Sequence, residues 1–156
     1  MIALGMVAGA VWALAVVWGP QAPGLPFLPP PLALPAAFIA PGLVMIAMVG
    51  RLAQRRFLDD TIIDGEDFPP QGPARIDQRV LTNTTEQLVL ALVTWPFVAL
   101  SLGGVVVVAM GLGFAVARLA FWGGYHLSPP LRAFGFAATF YPTVLAAVWS
   151  LVAWVA

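Results

Sequence analysis

The chain has 156 residues, 61% of them hydrophobic, with seven arginines, no lysine and seven acids. A soluble domain carries about a quarter charged residues; this composition, with a mean hydropathy of +0.93, belongs to the membrane class. A formal net charge of zero argues against nucleic acid as a partner, and the absence of cysteine excludes disulfides, zinc–thiolate sites and a cysteine nucleophile.

A helix that crosses the hydrocarbon needs about 20 mostly apolar residues. Five stretches qualify, at about 2–18, 32–50, 80–100, 105–125 and 133–155. The first has no basic flank and no small-x-small cleavage site, so it reads as a retained helix rather than a leader. Its Gly5, Gly9 and Ala13 recur every four residues, which suits close helix packing, although ordinary Gly/Ala content gives the same pattern. A charge-free connection, "GPQAPGLPFLPPP", leads to the second stretch. Residues 51–78 are the one strongly polar segment and hold ten of the fourteen charges; Arg79 adjoins it. Within it, Asp59, Asp60, Asp64, Glu66 and Asp67 do not follow a calcium-loop order and read as a solvated cluster, and Ile62, Ile63 and Phe68 read as lying on the membrane surface. Pro41, Pro96 and Pro142 fall inside spans, where kinks are expected. The six tryptophans read mostly as interfacial anchors.

Five crossings place the amino terminus, residues 51–78 and the 126–132 turn on one side. Arg51, Arg55, Arg56, Arg75, Arg79 and Arg132 all lie there. The positive-inside rule makes that side cytoplasmic. Abundant Ala, Gly, Pro and Val, with arginine as the sole strong base, read as a GC-rich bacterial coding bias, hence an inner-membrane protein with its amino terminus inside.

Polar residues within the spans carry the functional content, because each is costly in hydrocarbon without a partner. Arg79, Asn83 and Glu86 are four and three residues apart and share one helical face. Arg79 reads equally as a snorkelling residue and as a ligand contact; Glu86 lies deeper and reads as having a partner or a functional role. Arg118 and Tyr125 are seven apart, with Phe121 between them. Arg118 sits about two turns inside the span, and the only acid at similar depth is Glu86, so a Glu86–Arg118 pair is expected. His126 follows in a turn as a wet interfacial residue, and no second histidine exists to build a metal site.

Two stretches then resemble a known family. "RVLTNTTEQ" and "ARLAFWGGYHLSPPLR" are similar to signature helices of the MAPEG proteins (membrane-associated proteins in eicosanoid and glutathione metabolism). The resemblance covers about 32–156 as an all-α, four-helix integral membrane bundle, with 1–31 as an extra hydrophobic helix and its proline-rich connection. It implies a homotrimer that binds glutathione as cosubstrate between subunits, near the cytoplasmic surface. Arg79, Asn83 and Glu86 would contact the charged ends of the tripeptide. Arg118 belongs to the same set, Tyr125 would line the site, and Arg132 matches the catalytic arginine that stabilises the thiolate. The implied activity is a glutathione transferase or peroxidase acting on an apolar electrophile or hydroperoxide that arrives through the bilayer. A non-catalytic lipid- or thiol-binding protein of the same fold is the alternative. The sequence departs from the family pattern at Thr82, where some members carry arginine, at Leu81, where others are polar, and at Gln87, where some have tyrosine. Phe121 stands where histidine or tyrosine is common.

Reporters fused at Ala156 and within residues 59–67 should report opposite sides of the membrane, with the loop inside. Both on the cytoplasmic side would leave four crossings and take the first stretch out of the membrane.

Overall fold

Hydropathy marks where a helix can cross, not where it stops, so the polar ends of each expected span continue as helix wherever good helix formers follow. The computed structural model describes residues 1–156 and contains α1 (Ile2–Trp18), α2 (Pro30–Phe57), α3 (Pro73–Ser101), α4 (Gly104–Leu127) and α5 (Pro129–Val155), with a 3₁₀ turn at Gly19–Gln21. All five helices are long and apolar enough to span a membrane. α2 has 28 residues, about 42 Å at 1.5 Å per residue, against about 30 Å of hydrocarbon. The surplus projects "RLAQRRF" beyond the apolar zone. Prolines open α2, α3 and α5, where their missing N–H costs nothing. Gly103 (φ 101°) makes the tight turn between α3 and α4, a conformation that favours glycine.

Sequential helices run antiparallel, so α1 and α5 are parallel neighbours. The main apolar core is built by α2, α3, α4 and α5, with Val17 of α1 joining it. There Trp95, 1% exposed, stacks on Phe38 with centroids 5.2 Å apart, and its indole N–H donates to Thr143 Oγ1 at 3.3 Å. Trp95 is therefore a core residue and not an interfacial anchor; Trp18, Trp149 and Trp154 are exposed at the end opposite the arginines. The expectation for the polar loop also needs correction. Ile62 and Phe68 do not lie on a membrane surface but fold back onto Leu52 as a small separate cluster. Arg56 organises this turn: its guanidinium donates to the Ile62 and Glu66 carbonyls at 2.9 and 3.1 Å and lies 4.4 Å from the Phe68 ring centre. A local cation–π contact and two carbonyls thus bury side chains that hydropathy alone assigns to lipid. α2, α3 and α5 each continue through their internal prolines.

Small residues set how closely the helices approach, as expected where lipid removes the hydrophobic drive for association. Pro41 has no N–H to offer the Ala37 carbonyl, and Gly111 of α4 packs directly against that carbonyl. Gly124 and Gly135 bring α4 and α5 together in the same way, against the backbone of Arg132 and Phe121.

A Cβ at Gly111 would lie 2.7 Å from the Ala37 carbonyl carbon, so Gly111→Ala should destabilise the detergent-solubilised protein by about 1–3 kcal/mol. Gly50→Ala, where a Cβ meets nothing within 4 Å, should be neutral or stabilise by up to about 1 kcal/mol through helix propensity. Thermal unfolding of the two variants checks the contrast.

Candidate functional site

Arg118 is the most deeply placed charge in the protein, with no solvent exposure. Its partners come from two neighbouring helices. One terminal nitrogen donates to Asn83 Oδ1 of α3 at 2.8 Å. The other donates to the Gly135 carbonyl of α5 at 3.1 Å and to the Thr139 hydroxyl. Phe121, one turn along α4, places its ring centre 4.4 Å from the guanidinium. Gly135 is bare because α4 approaches α5 at Phe121, and this proximity leaves its carbonyl within reach of Arg118.

The expected Glu86–Arg118 ion pair does not form. Glu86 points to the exposed side of α3, and Asn83 stands between the two: its carboxamide oxygen accepts from Arg118 and its NH₂ donates to Glu86 Oε2 at 3.3 Å. The face shared by Arg79, Asn83 and Glu86 is real, but residue 83 turns inward while 79 and 86 turn out. The terminal nitrogens of Arg118 are met by neutral acceptors and its Nε by none, and the carboxylate of Glu86 has no cationic partner.

Two clefts meet at Asn83. One, of about 300 Å³, is wholly polar and is lined by Arg75, Gln78, Arg79, Thr82, Asn83 and Glu86. The other, of about 520 Å³, is mostly apolar; besides Asn83 it holds Phe121, Tyr125, Arg132 and Phe136. Arg132 lies over the Tyr125 ring at 5.0 Å from guanidinium carbon to ring centre. It has no carboxylate partner, since both ion pairs of the structure use Asp77. Its helix begins at Pro129 and Pro130, so the positive end of the α5 dipole and the Arg132 charge act on the same space. All six residues singled out in the sequence therefore fall at one end of the bundle. Asn83, Tyr125 and Arg132 line one cleft, and Arg79, Asn83 and Glu86 line the other. Arg118 is the strut behind them.

Three contributors were not anticipated. Thr139 gave no sequence signal, since a threonine in an apolar helix is ordinary. Asp77 did give one: Asp77, Val80, Thr84, Gln87 and Ala91 follow helical spacing and are all buried, so the acid lies on the core face of α3. It takes the Arg55 Nε–H at 2.7 Å and the Trp122 indole N–H at 2.7 Å, and faces His126 Nε2 at 3.2 Å, tying α2, α3 and α4 together at the arginine end. His126 is thus a partner of Asp77 as well as partly exposed. The third contributor is α1, whose Ile2 and Met6 form part of the larger cleft.

If Asn83 carries the load, Asn83→Ala should cost about 1–3 kcal/mol by leaving a buried donor unpaired. Glu86→Gln should then stay within about 0.5 kcal/mol. In double-mutant cycles with Arg118→Leu, Asn83→Ala should be non-additive and Glu86→Gln additive. Coupling of Glu86 alone to Arg118 would restore the direct pair.

Residues 32–152 match the MAPEG family model, from the first turn of α2 to the last turns of α5. No curated protein and no solved structure gives a significant match. The matched segment carries every polar residue of the two clefts, and leaves α1 outside. This is an integral membrane helical bundle, and the chain belongs to the MAPEG family.

Proposed function

We propose that the paired clefts bind glutathione at the cytoplasmic face of a bacterial inner membrane and present its thiolate to an apolar electrophile or hydroperoxide, as a glutathione transferase or peroxidase does. One observation carries the reading: a polar cleft with unpaired Arg79 and Glu86 adjoins, through Asn83, an apolar cleft holding the unpaired Arg132. Glutathione has that division. Its two carboxylates suit Arg79 and Arg75, its ammonium suits Glu86, and the cysteinyl sulfur then lies toward Tyr125 and Arg132. Family membership supports the same assignment. A homotrimer fits as well, because Arg79 and Glu86 are exposed on one subunit and a neighbour would complete their enclosure.

The chemical requirement is a thiolate at neutral pH. A free thiol titrates near about 8.5, so only a few per cent is ionised at pH 7. Arg132, assisted by the α5 dipole, stabilises the anion and lowers that value. With the thiol proton released to water, the sulfur bonds to the electrophilic carbon of a substrate that reaches the apolar cleft from the bilayer. The electron pair of the broken carbon bond leaves with the departing group or, in an addition, is taken up by a proton from water. With a hydroperoxide the thiolate attacks the outer oxygen, the O–O bond breaks to release the alcohol, and a second glutathione converts the resulting sulfenic acid to the disulfide and water. Each pKa unit corresponds to about 1.4 kcal/mol, a tenfold change in the thiolate-to-thiol ratio.

Arg132→Leu should weaken glutathione binding modestly but remove the ultraviolet thiolate absorbance at pH 7. Its rate should fall by about tenfold or more. Because the charge lowers the thiol pKa, activity lost at neutral pH should return as pH rises past about 8.5. Arg79→Leu should do the reverse, losing affinity while bound glutathione keeps its thiolate signal. Wild-type protein with no thiolate signal at saturating glutathione, together with a silent Arg132→Leu, would replace this reading with the non-catalytic lipid- or thiol-binding one.

A further inference from the structure

α1 lies outside the family match, yet it is fitted closely to the helix that carries Arg132. Gly5 rests on the Pro130 carbonyl and the Phe134 amide, and Gly9 rests on Ala137. Ala13 and Val17 continue the seam, at 2% and 0% exposure. Trp12 packs edge-on to Phe134 and Trp18 to Trp149, with ring centres 6.1 and 5.9 Å apart. The opposite face, Leu4, Val7, Val11 and Leu14, is exposed and apolar, as a surface in contact with lipid must be. α1 therefore stands between the hydrocarbon and the outer flank of α5.

That placement has a chemical result at its first two turns. Ile2 and Met6, four residues apart, share a side of α1 and line the same cleft as Tyr125, Arg132 and Phe136. Neither belongs to the packed core; they are 52% and 44% exposed. Phe121 and Phe136 form the facing bank, so the space beside Arg132 is bounded by apolar side chains on both flanks.

We propose that α1 is a fixed wall of the apolar cleft and that Ile2 and Met6 determine specificity for the second substrate, restricting it to a slender apolar chain that carries the reactive carbon or peroxide. The wall rests on geometry alone; the word substrate rests on the glutathione reading above. Without α1 the flank beside Pro129, Ala133 and Phe136 would open directly to lipid and admit broad, ring-shaped molecules. With α1 docked, size is limited by Met6, an unbranched side chain that shapes the gap without adding a polar group. Truncating a single wall residue changes discrimination by about one order of magnitude, the usual worth of one or two methylenes in an apolar pocket.

The chain has no cysteine, so a single Phe136→Cys reports access to the cleft. In the detergent-purified protein, N-ethylmaleimide should alkylate it at least ten times faster than pyrene maleimide. Adding Met6→Ala should reduce that size selectivity several-fold, and adding Gly9→Leu, which lifts α1 from Ala137, should abolish it. Should Gly9→Leu fail to fold, Met6→Ala lies off the glycine seam and still decides. Selectivity that is the same with and without Met6→Ala overturns the wall. In turnover with glutathione, Met6→Ala in the otherwise unaltered chain should raise kcat/KM for a bulky aromatic electrophile about tenfold relative to a straight-chain alkenal; an unchanged ratio overturns the specificity role. S-methylglutathione, which lacks a free thiol, should slow alkylation of Phe136→Cys. Its failure to do so counts against the glutathione reading alone, because the maleimide comparison involves no glutathione.

Discussion

An arginine with no solvent exposure, held by an asparagine, a threonine and a backbone carbonyl, joins α3, α4 and α5 at the arginine end of the bundle. Removing a guanidinium from water is costly unless its donors are met. Here both terminal nitrogens are met by neutral acceptors from two other helices, while the buried Nε–H has no partner, so the charge acts as a three-way clamp through its fork end. The clamp fixes Asn83, and Asn83 is the point where the two clefts meet. Phe121, stacked on the same guanidinium, contacts Tyr125 edge-on at 5.1 Å. Arg132 then lies over Tyr125. A chain of contacts thus runs from the buried clamp to the residue proposed to act on the thiol.

Glycine makes the clamp possible. Arg118 reaches the Gly135 carbonyl because position 135 has no side chain to hold α5 away from Phe121, and Gly124 allows the same approach one turn before the α4–α5 turn. The same device places α1 on α5 and α4 on α2. In lipid, where apolar surface gains little from leaving its surroundings, such close backbone approach and interhelical hydrogen bonds carry the association. Asp77 is a separate anchor at the same end, 3% exposed, and gathers Arg55, Trp122 and His126. One end of the bundle therefore has two buried polar anchors, and only that of Arg118 adjoins the paired clefts.

Hydropathy and arginine placement alone determined the membrane class, five helical spans and the concentration of Arg79, Asn83, Glu86, Tyr125 and Arg132 at one end. These follow from the sequence because the bilayer imposes them: a span needs a minimum apolar length, and backbone groups in hydrocarbon must be satisfied within a helix. Only the tertiary structure decided which partner each polar group took. Spacing placed Glu86 and Asn83 on one face of α3, but rotation of that face toward α4 decided that residue 83, and not 86, would meet Arg118. The inward fold of Ile62 and Phe68 was settled by Leu52 and Arg56, near in sequence, through contacts invisible to hydropathy. The burial of Trp95 was settled, like the Arg118 contact, by neighbours distant in sequence. So was the docking of α1 beside Arg132, because the Gly5 and Gly9 seam names a close contact without naming the helix that fills it. Periodicity fixes direction around one helix axis; pairing is fixed by what stands opposite, and that is a property of the assembled bundle.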